Sequence, residues 1–473
     1  MVFATKAFWL FLPAVLLLYH LARGRAPKYR VLLAAGWLFY AWLSPQYLWV
    51  ILLCTAIDYA AAVRIEDAPD PRARRRWLTA SIAANLGLLF AFKYAAFAHD
   101  NAVSLAHLFG ADAPSRAWDV LLPLGISFHT FQGIAYTVDV YRGHVRAVRS
   151  PVEYALFVSF FPQLAAGPVV RAAEFLPQLA TPPAPTARQA ADGLHFLLLG
   201  LFKKLFIADH LDALVVSPVF ADPGAFGPAA HRWACLAWAA QLYCDFSGYS
   251  DIAVGLAKWF GFELPRNFRF PYLATSVPDF WRRWHVTLSA WLRDYLYVPL
   301  GGSRGGELRT RRNLLIVFVT CGLWHGASWA WLGFGLWNGL LVCAHRAWDR
   351  GMTGVPWADA VRRSPAWACV AWAATFWLTV GGMILVRAPG WDAAGVLMKS
   401  WCAFDLAADG VPVWVLGLVG LVALGHAFSG VRGAACRLLE LAPAVRATAY
   451  VGMVVLLVTL GPAAGRPFIY FVF

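Results

Sequence analysis

The chain has little charge for its length. Only 14% of its 473 residues are charged, whereas 60% are hydrophobic and 15% are aromatic. Soluble domains carry about a quarter charged residues, so this composition argues against an ordinary soluble enzyme. It predicts an all-α polytopic membrane protein.

Several functional signatures are also absent. The eight cysteines form no CxxC pair and no zinc-finger spacing, so a structural zinc site or a disulfide framework is not expected. The chain has no GxSxG elbow, HExxH motif, P-loop or convincing dinucleotide fingerprint. The chain therefore lacks the usual motifs of serine hydrolases, metalloproteases and ATP-driven transporters. We expect no metal and no bound cofactor.

Apolar runs are what the chain has in abundance. Many approach the roughly 20 residues that cross a bilayer, which predicts about ten to twelve transmembrane helices plus re-entrant or interfacial ones. The first run lacks a signal-peptide cleavage site, so we interpret it as a helix. The runs are Trp9–Leu21, Val31–Leu43, Tyr47–Val63, Trp77–Phe97, Val120–Tyr141, Tyr154–Val170, Phe196–Ile207, Trp233–Phe260, Leu314–Leu341, Trp367–Val386, Val413–Ala427 and Val451–Leu460.

The net charge of +14 is distributed unevenly between these runs. Basic residues concentrate at Arg23–Arg30 and Arg64–Arg76, whereas Ser44–Gln46 has none and His99–Asp119 has only Arg116. This alternation follows the positive-inside rule and predicts an N-terminus on the outer, periplasmic side. The basicity therefore indicates orientation and contact with membrane lipid, and not nucleic-acid binding.

The middle of the chain is unusually polar for a membrane protein. No internal repeat divides the sequence, so we expect a single membrane-embedded domain over residues 1–473. Between about residues 193 and 342, ionisable side chains interrupt the apolar pattern repeatedly. Because such groups are costly in a membrane, they usually face a bundle interior or one another. We therefore expect the functional core in this region.

One candidate lies in the stretch "PDFWRRWHVTLSAWLRDYLYVPLGG", residues 278–302. Interpreted as one helix from Trp281 to Leu296, it places His285 within an apolar face. The charged Arg282, Arg283 and Asp294 fall outside that face. An interfacial helix would explain the charges, but it does not explain His285. A single buried histidine is more often a core residue than a catalyst.

A second candidate is His325, in "CGLWHGASWAWLGFGLWNGLLV" at residues 321–342. Interpreted as one membrane helix, the stretch places His325 between Gly322 and Gly326. Such spacing favours close helix packing and would leave room for a thin substrate. A neutral imidazole is the usual general base, with Trp324 and Asn338 as possible supporting residues. Simple helix packing is the alternative.

A third polar group lies in "QLYCDFSGYSD", residues 241–251. Asp245 and Asp251 need partners in an apolar helix, and Lys258, Arg282 or Arg283 could supply them. Tyr249 lies between the two acids as a possible substrate-channel residue. A structural network of ion pairs is favoured over direct catalysis.

Several strings together resemble the membrane-bound O-acyltransferase family, in its bacterial alginate-acetylating branch. They are "FWRRWHVTLSAWLRDYLYVPLGG", "LWHGASW", "FFPQLAAGPVVR", "GLFKKLFIAD", "QLYCDFSGYSDIAVGLAKWFG" and the closing "PFIYFVF". The resemblance covers most of the chain. It implies a ring of tilted helices around a thin core with a central tunnel. The family's invariant histidine corresponds to His325, and its second polar position to His285.

The resemblance also implies an activity. A cytoplasmic thioester, expected to be acetyl-CoA, would donate an acetyl group to a hydroxyl on the other side of the bacterial inner membrane. His325 would be the general base, and His285 would orient a substrate or bind the developing oxyanion. Relatives work with an SGNH-type periplasmic acetyltransferase and polysaccharide-synthesis proteins. Three alternatives stay open: peptidoglycan O-acetylation, a proton-coupled transporter and a non-catalytic scaffold.

Overall fold

Helices account for nearly all the regular structure of the chain. The computed structural model describes residues 3, 5–111, 122–123, 125–164, 167–181, 184–403, 410–432, 442–461, 466 and 468. Within these residues there is no β-strand, so the all-α prediction is confirmed. Residues 120, 121 and 124 of one predicted run and most of the closing "PFIYFVF" lie outside the described residues.

The chain divides into two compact units. The first contains Met1–Leu194 with Ala253–Pro265, and the second contains His195–Ile252 with Arg266–Phe473. The predicted polar core at 193–342 falls mostly in the second unit. The helices of the first unit are α1 (Lys6–Leu21), α2 (Arg25–Leu43), α3 (Leu48–Asp67), α4 (Pro71–Leu89), α5 (Ala95–Leu108), α6 (Ile126–Arg142), α7 (Pro151–Ser159), α8 (Phe161–Leu164) and α9 (Ala172–Phe175).

Two helices contain residues of both units, α10 (Ala187–Leu201) and α13 (Pro228–Trp259). Wide π-helical turns extend several helices, including Phe202–Ala208 after α10. The remaining helices of the second unit are α11 (Asp209–Leu211), α12 (Ser217–Ala221), α14 (Val277–Arg283), α15 (Val286–Leu292), α16 (Glu307–His325), α17 (Trp329–Met352), α18 (Pro356–Arg362), α19 (Pro365–Arg387), α20 (Trp391–Trp401), α21 (Val413–Arg432) and α22 (Pro443–Leu460).

Several helical segments have the length and composition of membrane spans. Four described segments are both long and apolar enough to cross a bilayer, and two shorter apolar helices, Lys6–Leu21 and Val413–Phe428, accompany them. The total number of spans stays a prediction. The four segments are Pro45–Asp67, Pro71–Leu108, Pro365–Arg387 and Pro443–Leu460.

In the first unit, a buried acid joins three helices. Asp58 on α3 is only 2% exposed and accepts hydrogen bonds from Ser81 Oγ and Asn85 Nδ2 on α4, both at 2.7 Å. Gly133 on α6 packs so closely that a Cβ atom there would overlap the Asp58 carboxylate. The two hydrogen bonds offset part of the cost of burying this group.

One predicted span of the first unit is interrupted. The apolar run Tyr154–Val170 is not one continuous helix, because α7 ends at Ser159 and the four-residue α8 follows. Phe160 between them has extended backbone angles. Pro162 has no backbone N–H and cannot continue the hydrogen bonds of α7, so the helix breaks before it.

Candidate functional site

His285 lies at a sharp bend between α14 and α15, both in the second unit. The predicted continuous helix from Trp281 to Leu296 is wrong, because α14 ends at Arg283 and α15 begins at Val286. His285 has left-handed backbone angles, φ 44° and ψ 54°. Such angles are uncommon for residues other than glycine and are often associated with functional positions.

Asn267, in the loop before α14, holds this bend in place. Its carbonyl oxygen accepts a hydrogen bond from Val286 N at 2.9 Å. Its side-chain Oδ1 faces His285 Nδ1 at 3.1 Å and accepts hydrogen bonds from the backbone N and Oγ1 of Thr287 at 3.3 and 2.9 Å. Asn267 is 2% exposed and His285 is fully buried. The same residue therefore fixes both the backbone and the imidazole of His285.

The burial of His285 agrees with the apolar-face prediction, although the helix is broken. The bend keeps Trp281, Trp284 and Leu288 buried with it. Burial, with a smaller contribution from His325, lowers the pKa of His285 well below its usual value. The imidazole is therefore neutral near pH 7.

His325 is the last residue of α16. The interpretation of residues 321–342 as one membrane helix is wrong, because Gly326 has extended angles and α17 begins at Trp329. Ser328 caps α17 by accepting a hydrogen bond from the backbone of Trp331 at 3.3 Å. The His325 Nδ1 atom lies 2.6 Å from the Cys321 carbonyl oxygen. A carbonyl can only accept, so Nδ1 carries the hydrogen and Nε2 has the lone pair.

The two histidines, 40 positions apart in the sequence, are neighbours in space. Their ring centroids are 6.5 Å apart, and the rings are nearly perpendicular at 81°. Trp324 contacts both rings, with centroid distances of 6.1 Å to His285 and 4.8 Å to His325. Trp331 stacks on His325 at 5.1 Å and 14°. The predicted grouping of His285, His325 and Trp324 is therefore present within the second unit.

A narrow, mostly aromatic cavity of about 30 Å³ adjoins His325. Asn338 on α17, also predicted from the sequence, supplies an amide to its wall and accepts a hydrogen bond from Trp281 Nε1 at 3.3 Å. The cavity therefore has one imidazole and one amide in apolar surroundings. Its other lining residues are Trp238, Leu242, Phe280, Trp284, Trp331, Phe334, Thr379, Met383 and Val386.

The glycines near His325 have a different role from the one predicted. A Cβ atom on Gly322 would lie 2.2 Å from the Trp331 carbonyl oxygen, and one on Gly326 would lie 2.0 Å from the Trp331 ring. A Cβ on Gly335 would meet the Phe318 carbonyl oxygen at 2.4 Å. The glycines let α16 and α17 pack closely, as expected of small residues. Protein atoms fill the space beside them, so the predicted room for a substrate there is wrong.

The third predicted group forms a lysine–aspartate cluster. The partners proposed from the sequence are wrong, because Lys258 pairs with Glu263 and Arg283 with Asp279. The partners of Asp245 and Asp251 are instead two lysines in the π-helical turn that follows α10. Each lysine forms ion pairs with aspartates, so positive and negative charges offset each other. The cluster consists of Lys203 with Asp251 at 2.7 Å, Lys204 with Asp209 at 2.8 Å, and Lys204 with Asp245.

The remaining predicted site residues lie elsewhere. Tyr249 is buried, with its ring 6.0 Å from Lys204 Nζ and 4.1 Å from the Phe468 ring. Arg282 is exposed, and Asp294 forms an ion pair with its exposed neighbour Arg293. These contacts place Tyr249 beside the lysine–aspartate cluster. Among the described residues, no group of His, Cys, Asp or Glu side chains could hold a metal ion.

Sequence reasoning missed Asn267, the Cys321 carbonyl and the stacking of Trp331. Asn267 occurs in a short loop with no periodic pattern, and its contacts depend on residues 18 to 20 positions away. No local spacing rule indicates such a partner. The Cys321 contact has a detectable basis, because residues four apart lie on the same face of a helix.

Comparison with known proteins decides the family. Residues 143–384 match the model of MBOAT, the membrane-bound O-acyltransferase family. The chain is 38% identical over 441 residues to a probable alginate O-acetylase of Pseudomonas aeruginosa, covering 91% of this chain and 82% of the relative. It is 40% identical over 411 residues to the probable alginate O-acetylase of Azotobacter vinelandii, with coverages of 85% and 78%.

The chain belongs to the membrane-bound O-acyltransferase family. A third relative, the peptidoglycan O-acetyltransferase of Helicobacter pylori, is 37% identical over 378 residues, covering 72% of this chain and 69% of the relative. These findings confirm the predicted family and its polytopic membrane character. They also confirm the prediction that the protein is an O-acyltransferase. The roles of its individual residues stay predictions.

Proposed function

We propose that the protein moves an acetyl group from a cytoplasmic thioester, acetyl-CoA, across the membrane to a hydroxyl acceptor used in extracellular polysaccharide O-acetylation. The observation that carries this proposal is the orientation of His325. Its Nδ1–H is held by the Cys321 carbonyl, so Nε2 is the basic atom. That imidazole lies beside a second buried histidine and adjoins an aromatic cavity.

The proposed reaction is a direct acyl transfer. Nε2 of His325 takes the proton of the acceptor hydroxyl while the oxygen of that hydroxyl attacks the thioester carbonyl carbon. The tetrahedral intermediate then collapses, the C–S bond breaks, and the departing thiolate receives the proton from the imidazolium. One ester and one thiol form, with no net gain or loss of protons. General-base assistance of this kind is typically worth roughly 10²–10⁴-fold in rate.

The cavity beside His325 supports a short acyl group. Its volume of about 30 Å³ is small, and Trp281, Phe334 and Trp331 form much of its wall. The hydrogen bond from Trp281 Nε1 to Asn338 holds one side of the wall in place. An apolar space of this size suits the methyl group of an acetyl chain, because each additional methylene would need volume that the rings occupy.

A basic surface at the other end of α16 supports a phosphate-bearing donor. Glu307 forms ion pairs with Arg311, Arg346 and Arg350, so three cations share one acid there. Exposed Arg304 and Arg309 add further positive charge. His325 lies 18 residues along the same helix, or about 27 Å away at 1.5 Å per residue. Such a surface attracts the phosphates of CoA, and by the positive-inside rule it would face the cytoplasm.

The acceptor and partner are inferred from resemblance. The relatives named as alginate O-acetylases favour an alginate-like or other exopolysaccharide. We propose that an SGNH-type periplasmic acetyltransferase and polysaccharide-synthesis proteins receive the acetyl group, that the protein resides in the bacterial inner membrane, and that its N-terminus is periplasmic. The Helicobacter pylori relative favours peptidoglycan as a second candidate acceptor.

Labelled acetyl-CoA supplied to the purified protein in liposomes tests the proposal. Wild type should release thiol and transfer label to mannuronate oligomers or to an added SGNH partner, and peptidoglycan fragments serve as the competing acceptor. His325→Ala should lower the rate by roughly 10²-fold or more. His144→Ala is the matched control, because the His144 side chain is 64% exposed. Equal rates in wild type and His325→Ala would reject this mechanism. A transporter or a non-catalytic scaffold predicts that result.

A further inference from the structure

The two histidines have the same neutral tautomer, with the hydrogen on Nδ1. Asn267 is the residue that imposes this tautomer on His285. The backbone N–H of Thr287 can only donate, and it points to the Oδ1 position of Asn267 at 3.3 Å. That contact identifies the atom as the amide oxygen rather than the nitrogen. The Asn267 Nδ2 atom faces Ser250 Oγ at 3.4 Å, in agreement with this assignment.

The orientation of Asn267 determines the tautomer of His285. An amide oxygen accepts hydrogen bonds, so His285 Nδ1 at 3.1 Å must carry the hydrogen. The neutral ring then has its lone pair on Nε2. The Cys321 carbonyl imposes the same tautomer on His325. Each imidazole therefore offers an acceptor, and not a donor, at its Nε2 atom.

The Nε2 atom of His285 is buried and has no hydrogen-bond partner within the described part of the chain. Leaving a buried acceptor unpaired is energetically costly, so such atoms in native proteins usually meet water or a ligand. The ring is packed against Phe246 of α13 at 4.7 Å, Phe268 of the loop at 6.5 Å, and Trp324 and His325 of α16. Of these four side chains, only that of His325 is ionisable.

We infer that His285 Nε2 binds a hydrogen-bond donor of the substrate, an O–H or N–H group beside the reacting centre, and that Asn267 is the positioning residue that keeps this nitrogen an acceptor. The inference rests on the proposed acyl transfer and deepens it. An oxyanion is excluded as the ligand of neutral His285, because two electron-rich atoms repel each other. Of the two roles expected from the sequence, substrate orientation is thus favoured over oxyanion binding.

Two substrates could supply the donor group. The acceptor would do so through a second hydroxyl adjacent to the reacting one, as on a sugar ring. The thioester would do so through an amide N–H of its pantetheine arm. Both present the same chemistry to a buried imidazole lone pair. They are distinguished by comparing acceptors with one or two adjacent hydroxyls, and acetyl thioesters with and without the amide.

The decisive variant is Asn267→Asp, which keeps the size and the oxygen of the side chain. A carboxylate at Oδ1 stabilises the imidazolium form of His285. Because the neutral ring is the acceptor, protonation removes the binding site, so the acid limb of kcat/KM should move to higher pH. Activity above that limb should approach wild type. A merely structural role for Asn267 would change the protein's stability without moving the pH profile.

Asn267→Leu completes the series by removing the acceptor for Nδ1–H. The ring can then take either tautomer, and kcat/KM should fall roughly 10- to 100-fold at every pH. Ser250→Ala is the matched control, since it removes only the contact at the other end of the amide. If Asn267→Leu does not fold, which thermal unfolding would reveal, Asn267→Asp still carries the test.

The comparison of substrates with and without the donor group uses the variant His285→Ala. In wild type, the substrate with the adjacent donor group should be preferred about tenfold or more over its analogue, and His285→Ala should abolish that preference. An unshifted pH profile in folded Asn267→Asp, or an equal preference in wild type and His285→Ala, would overturn the inference. Wild type that transfers no acetyl group at all would instead overturn the proposed function.

Discussion

The second unit contains two groups of buried or partly buried polar side chains that differ in what their polar atoms contact. In the lysine–aspartate cluster, Lys203 meets Asp251 and Lys204 meets Asp209 and Asp245. In the histidine pair, protein oxygens hold both Nδ1 atoms, and Nε2 of His285 has no partner among the described residues.

We propose that this difference separates a structural role for the lysine–aspartate cluster from a functional role for the histidine pair. Both groups appear in the sequence as ionisable residues in apolar surroundings, and either would be costly without compensation. The cluster compensates its charges internally, so it connects the π-helical turn Phe202–Ala208 to α11 and α13. The Nε2 atom of His285 has no hydrogen-bond partner among the described residues, and we propose that a substrate binds it. Mutations should therefore affect stability in the first group and turnover in the second.

The largest expected effect is on stability, from Lys204→Met. Removing this buried ammonium leaves Asp209 and Asp245 without their shared partner, which should lower the free energy of unfolding by about 3–5 kcal/mol. Turnover per folded molecule should stay near wild type. Thermal unfolding in detergent, with activity normalised to folded protein, measures both. Lys399→Met is the exposed control, and a selective loss of turnover in Lys204→Met would contradict the comparison.

His285→Gly and His285→Ala should lower kcat/KM to a similar extent, roughly 10²-fold, since both remove the imidazole. Only glycine adopts φ 44° without strain, so the alanine variant should be the less stable of the two. Acetyl-transfer kinetics and thermal unfolding separate these effects. Activity that followed stability, with glycine active and alanine inactive, would assign His285 to folding alone.

Trp281→Phe should broaden the choice of acyl chain. The smaller ring removes the hydrogen bond to Asn338 and opens the cavity beside His325. One methylene in an apolar pocket is worth about 1–3 kcal/mol, so discrimination between acetyl and propionyl thioesters should weaken about tenfold. Competition between the two thioesters measures this ratio. Trp391→Phe on the exposed face is the control, and an unchanged ratio would place the acyl chain elsewhere.

The smallest effect should come from Lys203→Met. The Lys203 and Asp251 side chains are 17% and 21% exposed, in contrast to 3% for Lys204. Because water screens a partly exposed pair, the loss of stability should be about 1 kcal/mol. Unfolding measurements on Lys203→Met and Lys204→Met test this ranking directly, and a reversed order would mean that burial does not control the cost.

The sequence was sufficient to predict the helical membrane class and the family, and it singled out His285 and His325 as candidates whose roles stay predictions. Composition and apolar runs indicate the class, and matching motifs indicate the family. Helical periodicity correctly placed His285 among buried tryptophans. These features depend on local composition or on short strings, which a single sequence displays directly.

The bends and the ion-pair partners could not be predicted in the same way. The left-handed conformation of His285 depends on Asn267, and the pairing of Asp251 with Lys203 joins residues 48 positions apart. Tertiary contacts decide both. A uniform 100° per residue across residues 281–296 is therefore wrong at His285, where the helix breaks. The site is formed by interruptions of helices, which periodicity alone does not reveal.

The most direct test of the account follows thiol release and ester formation together after rapid mixing of acetyl-CoA and acceptor with wild type and His325→Gln. We expect one ester for each thiol in wild type. In His325→Gln both rates should fall roughly 10²-fold or more, while donor binding is retained. Ester formation at the wild-type rate in folded His325→Gln would contradict the central claim that His325 is the general base.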